Sequence, residues 1–347
     1  MAAPIPGNCK GCGISTTKKC SGCSEGVDME GLTTSTHYCS TECQQADFAV
    51  HKGECRKANN RKQLYRGAQF LQSVFYAFRE EAFDVSMTQI QVVGGKLHTR
   101  EAATAFHHPA FYAFPNNLIA TADDKKAVLT MLCCFEPAAA MHQLVKKAFA
   151  GICSNTIGIV EVDVLVKRAH HRIVRHTALG IDNKTYHHSL MQVTLNDRSE
   201  FVLDLAGAQY GHYRAAAPWD NYINTYCEGG KIYRMFGSGH ESLQKVIAGT
   251  EDLGPKNDPR IVAMLGHVSK VMHETVNAWE QSNNTTLAAT LKLKLPEYTA
   301  GTATLLEDIV QELRACMVWW KSTQGPTAAQ AKAWSTDRVE QAYAAYS

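Results

Sequence analysis

Cys9-x2-Cys12-x7-Cys20-x2-Cys23-x15-Cys39-x3-Cys43-x7-His51-x3-Cys55 is the stretch on which the reading of this chain turns. Soft ligands paired two or three residues apart suit tetrahedral zinc, because a tight turn between the members of a pair aims both side chains at one ion. Seven cysteines and one histidine make two full sets of four, so the stretch implies two Zn2+ ions in closed sites. A closed site has no open position for water or substrate, and it holds structure rather than doing chemistry. Disulfides are the competing explanation for so many cysteines. The start of the chain, Met1-Ala2-Ala3-Pro4-Ile5-Pro6-Gly7, has neither the basic n-region nor the apolar h-region of a secretory signal. Without an oxidising compartment, clustered Cys/His pairs read as metal ligands. So small a unit has almost no core, and its folding energy comes largely from the metal.

The ligand order resembles the MYND-type zinc finger, and the likeness extends beyond the ligands. Tyr38-Cys39-Ser40 and Glu42-Cys43-Gln44-Gln45 stand where that family has its third ligand pair, and His51-Lys52-Gly53-Glu54-Cys55 looks like its closing segment. The resemblance implies interleaved binding, with Cys9, Cys12, Cys39 and Cys43 on one zinc and Cys20, Cys23, His51 and Cys55 on the other. It also implies an apolar groove for a partner's extended peptide, near Gln44 and Phe48. Phe48 stands where the family usually has tryptophan. The spacer from Cys23 to Cys39 is longer than the family's usual one, and its Ser, Gly and Thr content suggests a surface loop insertion. MYND fingers also occur inside SET-domain lysine methyltransferases. Only eight residues precede Cys9 here, and neither an Asn-His-Ser-Cys-type nor a Gly-Glu-Glu-type motif follows, so that reading is set aside.

At 347 residues the chain suits a small finger followed by a larger body. A hydrophobic content of 45% with 20% charged residues describes a globular protein with a substantial core. No apolar run approaches the roughly 18–20 residues that span a bilayer. A net charge of +2 gives no field that would draw in nucleic acid. The basic run Arg56-Lys57 with Arg61-Lys62 reads as the wet face of a helix. The expected compartment is cytoplasmic or nuclear.

Along the chain, residues 1–8 read as a disordered lead-in and 9–55 as the finger, with a short helix over 41–51 carrying Cys43 and His51. From 60 to 250 an α+β body follows, and 251–347 is its helical continuation. Leu64, Ala68, Leu71, Val74, Phe75, Phe78 and Ala82 recur at helical spacing, which predicts a helix from about Asn60 to Phe83 that docks the finger onto the body. Met87–Val93 alternates and ends at Gly94-Gly95, a strand and hairpin turn. The segment 99–117 shows no clean period. Residues 122–149 read as helix interrupted at Glu136-Pro137. Strands are expected over 157–166, 172–181, 188–195 and 201–205, forming an antiparallel meander in which Glu161 and Asp163 lie on the face opposite the valines. After Gly207 the pattern is mostly helical: one short helix opens at Pro218, another spans 240–249 and a long one follows Pro259. Leu295-Pro296 is a break, a further helix covers 304–321, and a last one contains Trp334 and Tyr343. The fold class is α+β, a helix-flanked antiparallel sheet followed by packed helices.

The body also holds the pieces of a nucleophilic site. His187-His188 opens one strand and Asp204 lies near the end of the next, which places an imidazole beside a carboxylate. Cys134 precedes a helix that Pro137 starts, and Cys153 is a second thiol. The order Cys, helix, His-strand, Asp-strand resembles a transglutaminase or papain-like core, and Phe201-Val202-Leu203-Asp204-Leu205-Ala206-Gly207-Ala208-Gln209-Tyr210-Gly211 resembles its Asp-bearing segment. The competing reading makes Cys133, Cys134 and Cys153 small buried hydrophobes and Asp204 a turn cap. His107-His108, His170-His171 and His176 lack carboxylate or cysteine partners at ligand spacing. The sequence favours a zinc-binding adaptor or regulatory protein that docks a protein or peptide at its finger, with no catalytic residue assigned. The alternative is a Cys/His/Asp enzyme of acyl transfer or amide hydrolysis that carries the finger as an adaptor.

Overall fold

Two short hairpins open the chain, β1 (Gly7–Asn8) with β2 (Ser15–Thr16) and β3 (Gly26–Val27) with β4 (Thr33–Thr34). The computed structural model describes residues 6–102, 110–154, 158–177, 180–248, 250–251 and 258–320. Of the expected disordered lead-in, residues 1–5 lie outside that range, while Gly7 and Asn8 are paired strand. The last expected helix, with Trp334 and Tyr343, also lies outside it.

Helix α1 (Thr41–Glu81) follows, 41 residues long. Its N-cap Ser40 accepts a hydrogen bond from the Cys43 amide at 3.3 Å, and Glu42 sits in the first turn, where the helix dipole favours an anion. The two helices expected over 41–51 and 60–83 are one. No proline or glycine stands between Cys55 and Asn60, and Asn59 gives its amide to the carbonyls of Gly22 (2.6 Å) and Cys55 (2.9 Å). The passage from finger to body therefore lies inside a continuous helix. Its apolar stripe, Leu64, Ala68, Leu71, Val74, Phe75, Phe78 and Ala82, is buried throughout. Each fully buried leucine, valine or phenylalanine there contributes about 1.5–3 kcal/mol. Gly67 allows the helix to pack closely, since a Cβ there would meet the Phe149 ring at 2.9 Å.

The chain continues through β5 (Met87–Val93) and β6 (Lys96–Glu101), an antiparallel hairpin whose turn residues Gly94 and Gly95 take φ of 57° and 76°. Three short helices follow, α2 (Ala122–Leu129), α3 (Glu136–Ala140) and α4 (His142–Ala148). Next come β7 (Ile159–Val166), β8 (Ile173–Thr177), β9 (Gly180–Ile181), β10 (His187–Thr194), β11 (Glu200–Leu203) and β12 (Ala216–Pro218). Helix α5 (Trp219–Tyr226), strand β13 (Cys227–Met235) and helices α6 (Ser238–Ile247), α7 (Pro259–Ser282), α8 (Leu287–Thr290) and α9 (Leu295–Trp319) complete the described chain.

The architecture is α+β. The larger sheet is antiparallel, in the order β12-β11-β10-β7-β13. The expected meander is overturned in one respect: β8 does not lie between β7 and β10. It leaves with β9 for a second sheet, ordered β5-β6-β8-β9, where it runs parallel to β6. Each strand alternates, but both faces of the large sheet are covered. Val162, Val164, Val166, Leu190 and Val202 pack with Trp219 and Tyr222 on one side. Met191, Val193, Phe201 and Leu203 join the helices α1, α3, α4, α6, α7 and α9 on the other. Glu161 is therefore buried too, and it accepts the amides of Gly237 (2.8 Å) and Gly239 (2.9 Å) where α6 begins.

Two further expectations changed. Leu295-Pro296 is the first turn of α9 rather than a break before a helix at 304, since proline lacks a donor that a first turn does not use. Strand β13 lies in a stretch read as mostly helical. It is an exposed edge strand, with a bulge between Glu228 and Ile232 at Gly229 (φ 69°).

Candidate metal centres and a buried histidine–aspartate pair

Two turns and one helix bring the eight ligand residues together. Cys9 and Cys12 flank a turn in which Gly13 donates back to Cys9, and Cys20 and Cys23 flank another. Cys43, His51 and Cys55 project from α1, with Cys39 just ahead of its cap. The result is two clusters, Cys9/Cys12/Cys39/Cys43 and Cys20/Cys23/His51/Cys55, with all ligand atoms of each within 4.8 Å of one another. Within them Cys12 and Cys39 Sγ lie 3.3 Å apart, Cys39 and Cys43 Sγ 3.6 Å, and Cys23 Sγ lies 3.5 Å from His51 Nε2. Thiolates about 2.3 Å from a tetrahedral ion stand roughly 3.8 Å apart, while a disulfide needs about 2.05 Å. None of the twelve cysteines is joined to another in a disulfide. Backbone hydrogen bonding, chiefly from Cys39, brings Cys9 down to about 6, but others of the crowded sulfurs resist ionising on their own: hydrogen bonding among the neighbouring thiols holds Cys39 up to about 12, and burial holds Cys55 up to about 12. A dication reverses that preference. Both donor sets, one of four thiolates and the other of three thiolates and an imidazole, fit zinc.

Residues 9–55 match the MYND finger family. No curated protein and no solved structure matches the chain. The weak likeness of the body to a transglutaminase or papain-like core finds no support in these comparisons.

Supporting contacts surround the MYND finger's clusters. Gln44 Nε2 points to Cys20 Sγ at 3.7 Å and Asn59 Nδ2 to Cys55 Sγ at 3.8 Å, as supporting donors do around metal-bound thiolates. Tyr38 packs edge-on to His51, 5.6 Å between ring centroids, and its hydroxyl donates to Asp47 at 2.5 Å. Gln44 is thus turned toward a sulfur rather than lining an open groove, whereas Phe48 and Val50 are 53% and 70% exposed. The long spacer after Cys23 does more than loop out. Glu25 pairs with Arg66 at 3.0 Å and accepts the Leu295 amide at 3.1 Å, and the Met29 carbonyl accepts from Tyr65 at 2.5 Å. Lys294 Nζ donates to Ser24 Oγ at 2.7 Å. The insertion fastens the MYND finger to the body, and a cleft of about 720 Å³ lies between them, lined in part by Lys62, Arg66, Tyr76 and Tyr298.

In the body, the structure brings together three of the four candidate residues. His188 Nε2 lies 3.0 Å from Asp204 Oδ1, with both side chains fully buried. Asp204 Oδ1 also accepts the Ala206 amide at 3.1 Å, and Oδ2 accepts the Tyr222 hydroxyl at 2.7 Å. Gly207 is required beside it, because a Cβ there would overlap Oδ2. Burial alone would neutralise both groups, but each charge stabilises the other: His188 rises to about 10 and Asp204 falls below the ordinary carboxylate range. Cys134 is half-buried, its Sγ 3.7 Å from the His187 carbonyl oxygen, and its interaction with the imidazole also raises His188. His188 Nδ1 is buried without a hydrogen-bond partner among the described residues. Cys153 is not part of this group. It bridges to Leu195, and burial pushes its thiol up to about 12. Cys133 is fully buried, as the packing reading expects, with its thiol donating to the Leu129 carbonyl at 3.5 Å.

Sequence reasoning missed Tyr222 on Asp204, Gln209 beside the pair, and Arg79, which holds Glu136 in the loop that carries Cys134. Gln209 links the two loops, accepting from the Leu132 amide at 3.2 Å and donating to the Ala206 carbonyl at 3.1 Å. Of the other histidines set aside, His107 and His108 lie outside the described residues, and His176 pairs with His98 at 3.0 Å. The two MYND clusters are the metal-type groupings found among the described residues. No helix among those residues is long and apolar enough to cross a membrane.

Proposed function

We propose that the chain is a zinc-dependent docking protein of adaptor or regulatory type, cytoplasmic or nuclear, whose MYND finger binds a segment of another protein. Cys9, Cys12, Cys39 and Cys43 hold one Zn2+, and Cys20, Cys23, His51 and Cys55 hold the other. The observation that carries the reading is the pair of four-ligand clusters with exposed Phe48 and Val50 on the same helical stretch as Cys43 and His51. Two closed sites make a rigid platform from a segment with little core of its own, and exposed apolar side chains on a rigid platform are suited to an extended peptide. In this reading 9–55 is the recognition module, and the body, 60–250 with its helical part 251–347, fixes how that module is presented.

The test is an array of proline-containing and other extended peptides probed with the zinc-loaded full chain. Binding is expected to weaken at least tenfold in Phe48→Ala with zinc content unchanged, and to vanish on chelation. Peptide binding that survives both treatments would place recognition elsewhere.

A further inference from the structure

We infer that Cys134, His188 and Asp204 form a second functional site, a nucleophilic thiol with its base and orienting carboxylate, which takes acyl donors bearing an amide or ester carbonyl. His188 has one ring nitrogen committed to Asp204 at 3.0 Å, and Asp204 is itself fixed by Tyr222 and the Ala206 amide. That arrangement sets the imidazole's orientation and leaves Nδ1 as its remaining outlet for a proton. Nδ1 has no hydrogen-bond partner among the described residues, although the ring is fully buried. An unsatisfied buried nitrogen is costly to keep, and a purely structural pair is readily replaced by apolar residues. Cys134 Sγ lies 3.7 Å from the carbonyl oxygen of the adjoining His187, near enough to act on the imidazole, and unlike the imidazole it is only half-buried.

The surroundings suit a reacting carbonyl. Leu132 and Phe135, near the thiol in sequence, are 44% and 40% exposed, so the loop that carries it presents apolar surface. A small cleft of about 60 Å³ opens at Leu132, and Gln209, Tyr210, Tyr186 and Lys184 also line it. Tyr210 packs edge-on against His188, 4.7 Å between centroids, and shields the ring from water. Leu132 itself is held at φ 58°, an uncommon backbone state for a branched residue, by its bond to Gln209.

The chemistry balances with water or an amine as co-reactant. The thiol proton passes to His188 Nδ1 before the donor is attacked, because Asp204 stabilises the imidazolium, and the sulfur then attacks the carbonyl carbon. The C–N or C–O bond of the donor breaks, and the imidazolium proton goes to the leaving amine or alcohol. Water or a second amine, deprotonated by His188, then attacks the thioester and releases acid or amide with the thiol restored. Asp204 keeps the charged imidazole stable through both halves and does not itself take the proton.

The zinc-loaded full chain is treated with p-nitrophenyl acetate near neutral pH, with peptide mapping of the product. The expected result is a stoichiometric burst of p-nitrophenol and one acetyl group on Cys134, at least 100-fold faster than acetylation of a free cysteine. Cys134→Ser abolishes the burst and Cys153→Ser does not. His188→Gln slows acylation at least 100-fold, in the range that a lost general base costs. Acylation of Cys134 no faster than that of free cysteine overturns the inference whether or not the His188 variant folds. So does an unchanged rate in a His188→Gln protein with wild-type circular dichroism.

Discussion

Arg79, in the last turn of α1, donates from one guanidinium nitrogen to both carboxylate oxygens of Glu136, at 3.0 and 3.2 Å. It is 2% exposed and also holds Asp84 at 2.6 Å and the Leu129 carbonyl at 3.2 Å. Glu136 follows Cys134 by two residues. The far end of the helix that carries three zinc ligands thus clamps the loop that carries the thiol.

Arg79→Met leaves Glu136 and Asp84 without their cation in a largely buried place, and is expected to cost about 3–5 kcal/mol. Glu136→Gln should cost less, because Arg79 keeps Asp84. Urea unfolding at neutral pH measures both, and an Arg79→Met protein as stable as wild type would show that the clamp carries no stability.

The buried pair predicts a pH dependence whose sign follows from the shifts. His188 is raised to about 10, so its contribution is complete below the unfolded value of about 6.5 and is lost as pH rises through about 10. Asp204 is lowered, so its contribution is present above about 3.9 and is lost as pH falls through its depressed value. Stability of the zinc-saturated chain should fall between about pH 6.5 and about 10 by on the order of a few kcal/mol. Asp204→Asn should flatten that limb. Equal slopes in urea titrations of the two proteins would remove the pair from the account.

Elemental analysis of freshly purified protein should find two zinc ions per chain. Cys20→Ser and Cys39→Ser should each lose one ion, and from different sites. Chelation should reduce helical circular dichroism, because Cys43, His51 and Cys55 lie on the first part of α1, while the sheet signal persists. One ion or none in the wild type would refute the eight-ligand assignment.

Gly207→Ala should destabilise the body by about 1–3 kcal/mol, since the added methyl overlaps the Asp204 carboxylate. Gly53→Ala, with open space around its Cβ on the same helix as the clamp, is the control and should be neutral or stabilising. Chemical denaturation of the two variants decides.

The finger is readable from sequence because metal ligation imposes residue type and spacing within one short stretch, with no need of distant partners. The β5–β6 hairpin is readable for a similar reason: its alternation and its Gly94-Gly95 turn are local signals. What escapes depends on non-local pairing. Whether β8 joins β7 or β6 cannot be told from its own residues, and it joins β6. Strand β13, with two glycines and a bulge, has little strand character until β7 supplies its partner. In the body, His188 and Asp204 are legible as neighbours across a hairpin. Arg79, 57 residues before the Glu136 it holds, gives no local sign that it reaches the thiol loop.

Helix α1 runs without proline from the cap at Ser40 to Glu81. At about 1.5 Å per residue, Phe48 and Arg79 sit roughly 45 Å apart along its axis. A protein seated on the finger would be delivered at a set reach from Cys134, measured by a stiff rod instead of a flexible tether. Only those sites on the bound protein that fall at that span could present a carbonyl to the sulfur, so the helix would act as a ruler for selection among them.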